Sequence, residues 1–317
     1  MSDSDNSPNW ERRVLEKVAL SAIHEQRRAR RWGIFFKLLG FSYLIIVLML
    51  AMGWINRGEM AAISGKHTSL VELRGVIAAD ETSADKIITG LQLAFKDKNT
   101  QGVILRINSP GGSPVQAGYI NDEIRRLRAK YPNIPLYAVV EDICASGGYY
   151  VAVAADKIFV DKASIVGSIG VLMDGFGFTG TMEKLGVERR LLTAGENKGF
   201  LDPFSPVNES QKAYAVSMLN EVHQQFIQVV RQGRGKRLKE TPEMFSGLFW
   251  SGEKSVALGL ADAIGSADYV ARDILKAETI VDYTPQEGFA ERFAKRFGAV
   301  MAKNFGASLL QSGSQLR

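Results

Sequence analysis

Leu38 to Ile55 runs without a charged residue and is filled with Leu, Ile, Val, Met and Phe, in a segment flanked by Trp32 and Trp54. About 20 apolar residues cross the hydrocarbon core of a bilayer, whereas the apolar part of a secretory leader is nearer 7–15. With Gly33 to Phe36 added the run is long enough to span, and Lys37 can snorkel to the near interface. No Ala-x-Ala-like cleavage site comes after it, so an anchor that stays in place is expected. Arg27, Arg28, Arg30 and Arg31 before the run outweigh Arg57 after it, which keeps the N-terminus in the cytoplasm and puts the residues beyond 56 outside it. The chain then divides into a cytoplasmic segment 1–31, a transmembrane helix 32–55, a linker 56–68, a globular domain 69–284 and a tail 285–317.

Trp10 to Arg31 reads as an amphipathic helix with Trp10, Val14, Leu15, Val18 and Ile23 on its apolar side, lying on the inner leaflet or standing solvated. From Ser69 onward strand and helix alternate. Strands are expected at Val71–Ala78, Gly102–Ile107, Leu136–Val140 and Lys157–Val160, helices at Ser83–Lys96 and Gln116–Lys130. That alternation predicts an α/β fold with right-handed crossovers. After Gly199 the pattern turns mostly helical, with a long helix over Glu209–Arg231 and a short one over Ser251–Leu260. In the tail, Phe289, Phe293, Phe297, Met301 and Phe305 recur every fourth residue with basic residues between them, the pattern of an amphipathic helix.

Among 317 residues, 46% are hydrophobic and 23% charged, enough for a sizeable core. The net charge of +5 is partly the local arginine cluster and gives no reason to expect nucleic acid. The single cysteine, Cys144, excludes an intrachain disulfide and argues against Cys-based metal sites.

Chemistry concentrates at Ala145-Ser146-Gly147-Gly148-Tyr149-Tyr150. One serine stands between small residues, after an apolar strand and before a helix, where its hydroxyl is exposed and helix N–H groups are unpaired. Acyl-transfer nucleophiles are mounted in this way, although a plain Gly-rich turn reads the same. Such a serine needs a base. Of the three histidines, His24 falls on the cytoplasmic side, His67 in the linker and His223 inside a polar helix, so a Ser-His-Asp site is disfavoured. A lysine serves if desolvation brings it near neutrality. Lys198 stands out between Gly195 and Gly199 ahead of apolar residues, though composition alone does not separate it from a surface charge. Gly147 supplies one oxyanion donor by position, and Asn108-Ser109-Pro110-Gly111-Gly112 can bring a second to the same sheet edge.

Four stretches then occur in order: Ile107–Gly112, Ala145–Tyr150, Val166-Gly167-Ser168-Ile169-Gly170-Val171, and the Gly195–Gly199 loop. Together, over roughly residues 69–275, they resemble the signal peptide peptidase A family, membrane-anchored bacterial serine proteases. The resemblance implies a Clp-protease/crotonase-like fold (a ββα superhelix) behind the N-terminal anchor, with residues 69–284 as the peptidase domain. It implies Ser146 as nucleophile, Lys198 as general base, Ser168 as the hydroxyl that orients the lysine, and Gly112 and Gly147 as oxyanion donors. No metal or organic cofactor is implied. Expected partners are cleaved signal peptides or unfolded apolar polypeptides, the lipid bilayer, and further copies of the chain in a ring or dome. The implied location is the bacterial inner membrane with the catalytic domain outside the cytoplasm. Other readings are a related single-domain protease acting on other membrane proteins, a crotonase-type acyl-CoA enzyme, and a silent membrane scaffold.

Overall fold

The computed structural model describes residues 10–51 and 65–285, which form two units, one of them the helix α1 (Trp10–Ala51) and the other residues 65–285. What is expected of 1–9, 52–64 and 286–317, including the aromatic stripe of the tail, lies outside the described residues. The amphipathic segment and the apolar run do not form separate helices, because α1 passes through Arg31 and Trp32 unbroken for 42 residues. Within it Val14–Met49 is long and apolar enough to cross a membrane. At 1.5 Å per residue a bilayer core takes up roughly half of such a helix.

The second unit is an α/β domain. Its elements in order are β1 (His67–Arg74), α2 (Ala84–Lys96), β2 (Thr100–Ser109), α3 (Pro114–Lys130), β3 (Leu136–Ala145), α4 (Gly147–Ala152), β4 (Lys157–Val160), β5 (Ile165–Gly167), α5 (Thr179–Leu185), α6 (Glu209–Arg234), β6 (Phe249–Ser251), α7 (Gly252–Ala257), β7 (Ala263–Ile264) and β8 (Ile280–Asp282). They build an eight-stranded sheet with the path β6-β5-β3-β2-β1-β8, and β4 bridges β3 to β7. Every pairing is parallel except β5 with β6.

Helices α2 and α3 cover one face because their apolar residues fall at helical spacing. Ile87, Leu91, Ala94 and Phe95 of α2 and Ala117, Ile120, Ile124 and Leu127 of α3 are buried against Val71, Leu73, Val103, Leu105 and Ile107. Pro114 opens α3 at a position whose N–H has no helical partner, and the Ser113 side chain accepts from Gln116 N. The opposite face carries a smaller cluster of Leu70, Ile104, Val139, Phe159, Val270 and Ala271.

Two expected boundaries are corrected. The linker ends before His67, since His67, Thr68 and Ser69 are buried in β1. These residues look like loop, but each is satisfied inside: Thr68 Oγ1 donates to Ala277 O at 2.6 Å and Ser69 Oγ meets Thr100 Oγ1 at 2.7 Å. The strand also stops at Arg74 and not at Ala78, because Gly75 turns the chain at φ +84°.

β3 forks, and the fork positions the site. Tyr137–Val139 pairs with β4, while Ile143–Ala145 pairs with β5 after an irregularity opposite Ile107 and Ser109. Loops at a point where neighbouring strands diverge leave a crevice at the carboxyl ends of a parallel sheet.

Candidate active site

β3 ends at Ala145, and Ser146 turns the chain into α4 with φ +50° and ψ −123°. A non-glycine residue holds that conformation only when its surroundings impose it. Here Ser146 N donates to Gly167 O at 2.9 Å on β5, and Tyr150 N donates to Ser146 O at 3.0 Å. The Ser146 hydroxyl, at the half-buried surface, makes no capping bond and has no hydrogen bond among the described residues. Behind it, Cys144 is fully buried and burial pushes its thiol up, so it offers no thiolate. Tyr149, likewise buried, donates its hydroxyl to Leu260 O at 2.8 Å.

The turn after β2 lies against this serine. Ser109 Oγ donates to Gly75 O at 2.7 Å and accepts Gly111 N at 3.2 Å. Ile77 N donates to Gly111 O, and Ser113 N donates to Ile77 O, both at 2.8 Å. Gly111 at φ +103° comes so near that a Cβ on it would stand 2.7 Å from both Gly147 N and Ser146 Cβ. The Gly112 N–H is therefore brought beside Gly147: a Cβ on Gly147 would lie 3.2 Å from Gly112 N. Gly111 N is spoken for by Ser109, whereas neither Gly112 N nor Gly147 N has an acceptor among the described residues. Two free N–H groups flanking one free hydroxyl are the parts needed to bind a developing oxyanion.

These groups line a cleft of about 860 Å³. Ser168 joins them there, also at φ +50°, with its N–H on Leu248 O at 2.8 Å. Four non-glycine residues among those described have positive φ, and Ser146 and Ser168, two of them, share this cleft. The walls are apolar: Val115 and Tyr119 of α3, Tyr150, Leu172, and Val222 and Phe226 of α6. The sequence pattern does not mark α3 or α6 as cleft lining. One signal was available in Val115 and Tyr119, apolar residues off the buried stripe of α3 that are more than half exposed.

Ser146, Gly147, Gly112 and Ser168 are thus together, while Lys198 is not among the residues lining the cleft. It is exposed, in a turn where its N–H donates to Gly195 O at 3.1 Å. This turn belongs to an arm, residues 171–207, that carries exposed Leu172, Phe176, Leu185 and Leu192. The arm is nonetheless built. Phe178 stacks on Phe204 at 5.4 Å, Arg189 pairs with Asp202 at 3.5 Å, and Gln211 of α6 bonds both Leu201 N and Asn197 Oδ1. His223, distant in sequence from every motif, comes to the loop beside Ser168, its Nε2 3.1 Å from Ile169 O. His67 lies in β1 against Tyr283, at 3.1 Å.

Residues 128–280 match Peptidase family S49. Over 202 residues, 62% of this chain, the sequence is 43% identical to a protein of Brucella melitensis named Na(+)/H(+) antiporter NhaA, of which the match covers 27%. It is 29% identical over 230 residues to the putative signal peptide peptidase SppA of Enterococcus faecium, covering 70% of this chain and 66% of that one. It is 30% identical over 231 residues to the probable protease SohB of Haemophilus influenzae, covering 72% and 64%. The chain spans about a quarter of the first of these relatives and about two thirds of the other two. The S49 match and the SppA and SohB relatives, together with a serine at positive φ near two free amides at the fork of a parallel sheet, support an SppA-type S49 protease.

Proposed function

We propose that this chain is a membrane-anchored serine endopeptidase that hydrolyses apolar peptides, remnant signal peptides and unfolded membrane polypeptides among them. The observation that carries the reading is Ser146, held at positive φ with an unbonded hydroxyl between the free N–H groups of Gly112 and Gly147. Ser146 Oγ attacks the scissile carbonyl carbon while its proton passes to a neutral amine, Lys198. The oxyanion rests on Gly112 N and Gly147 N. Collapse breaks the C–N bond, the ammonium returns its proton to the leaving amine, and water attacks the acyl-enzyme by the same route. Ser168 positions the lysine.

Because Lys198 stands on an exposed arm outside the cleft lining, the dyad requires a second copy whose arm reaches over the first. The exposed apolar residues of the arm support such a homo-oligomer. The parallel sheet with the serine at its fork supports a Clp-protease/crotonase-like domain, and α1 supports a single-pass anchor in the bacterial inner membrane with residues 1–31 cytoplasmic. The antiporter name is not carried over, since the match covers about a quarter of that protein. A crotonase-type acyl-CoA enzyme shares such oxyanion loops but has no use for a free serine hydroxyl between them. Ser146→Ala and Lys198→Ala are each expected to abolish cleavage of a fluorogenic apolar peptide while the circular dichroism spectrum is retained. Near-normal cleavage by either variant contradicts its assigned role.

A further inference from the structure

The cleft that holds Ser146 is lined by apolar residues, glycines, and the uncharged polar side chains of Ser168, Gln225 and Ser246, with one exception. Among the described residues lining it, Asp122 is the one that carries a charge. Its carboxylate has no hydrogen bond and no ion pair among the described residues. The charged neighbours on α3 are turned elsewhere: Glu123 bonds Gln92 and Arg126, and Arg125 NH1 donates to Gln232 Oε1 on α6. Tyr150, which lines the cleft, feels Asp122: burial first, then that negative charge, pushes its phenol up.

Helix geometry gives the distance from the reacting bond. Val115, Gly118, Tyr119 and Asp122 of α3 all line the cleft, and α3 starts two residues after Gly112. Eight residues separate Pro114 from Asp122, a rise of roughly 12 Å at 1.5 Å each. An extended peptide at about 3.3 Å per residue covers that with three or four residues. Gly118, between the two ends, meets nothing within 4 Å where a Cβ would stand, so the wall is bare along that stretch. A glycine inside a helix costs about 1 kcal/mol relative to alanine, and no packing contact here requires one.

We propose that Asp122 is a specificity-determining residue that receives the cationic side chain, lysine or arginine, of an otherwise apolar peptide, three or four residues from the bond that Ser146 attacks. This rests on the peptidase reading and names its substrate class: an apolar segment with a basic residue near the cleavage point.

The test uses full-length protein in detergent and a set of fluorogenic apolar peptides with lysine moved through the four positions on each side of the bond. Norleucine and glutamate replace it in matched peptides. Lysine at one position three or four residues from the bond is expected to raise kcat/KM about two- to fivefold over norleucine, the size of an exposed ion pair, mainly through KM. Added salt shrinks the effect. Asp122→Asn removes the preference, and Asp122→Lys transfers it to glutamate. Absence of any such position in the wild type, or a preference that survives Asp122→Asn, overturns the proposal. The same peptides, labelled and bound to Ser146→Ala protein, separate the two readings by fluorescence anisotropy. If hydrolysis fails throughout, tighter binding of the lysine peptide that is lost in Ser146→Ala/Asp122→Asn still supports the Asp122 contact, and equal binding overturns it.

Discussion

Ser146 donates its backbone N–H to the carbonyl of Gly167 at 2.9 Å, so the proposed nucleophile is tethered to the strand beside its own. Gly167 can take up that position only without a side chain. It sits at φ +112°, and a Cβ would stand 2.8 Å from two Trp250 ring carbons. Gly167→Ala is expected to cost about 1–3 kcal/mol of stability and to lower kcat/KM more than tenfold, as the strained turn loses its tether. Urea unfolding together with steady-state kinetics checks both, and unchanged activity per folded molecule counts against the tether.

Lys198 is not among the residues that line the cleft of its own chain, so the proposed dyad calls for a neighbouring copy. Two inactive proteins, Ser146→Ala and Lys198→Ala, are then expected to regain about a quarter of wild-type activity when dissociated and reassembled one to one, from random pairing across a head-to-tail interface. A mixture as inactive as its components places the base elsewhere.

Acid should weaken the domain through Asp262. Burial alone would raise its pKa, but the hydrogen bond and charge of Arg234, Ile158 N and Arg237 hold it below its ordinary 3.8. A carboxylate with a lowered folded value gives stability that is complete above the unfolded value and drains as pH falls through the folded one. The unfolding midpoint is therefore expected to drop below about pH 4, and less steeply in Asp262→Asn. At neutral pH that variant should cost about 3 kcal/mol, since Arg234, 1% exposed, is left with a buried charge short of its partner. Thermal melts across pH 2.5 to 7 test both statements; parallel curves for variant and wild type would contradict them.

Much of this was readable in the chain. The apolar run into Ser146-Gly147-Gly148 and the Gly111-Gly112 turn were visible because strands covered on both faces are continuously apolar and end on punctuating glycines. The stripes of α2 and α3 were visible for the same physical reason, a period that matches the helix. What stayed hidden depends on long-range contacts. His67 and Thr68 read as linker because their polar groups are satisfied by Tyr283 and Ala277, far away in sequence. Strands such as β7, two residues long, carry no period at all. Val222 and Phe226 became cleft walls, and His223 came to Ile169, through a packing of α6 that no local pattern announces.

The most direct measurement is reaction of the full-length protein with a serine-directed fluorophosphonate, with the modified peptide then located by mass spectrometry. A single adduct on Ser146, lost in Ser146→Ala, is the result expected. No adduct, or one on Ser168 with Ser146 unmodified, would contradict the assignment of the nucleophile.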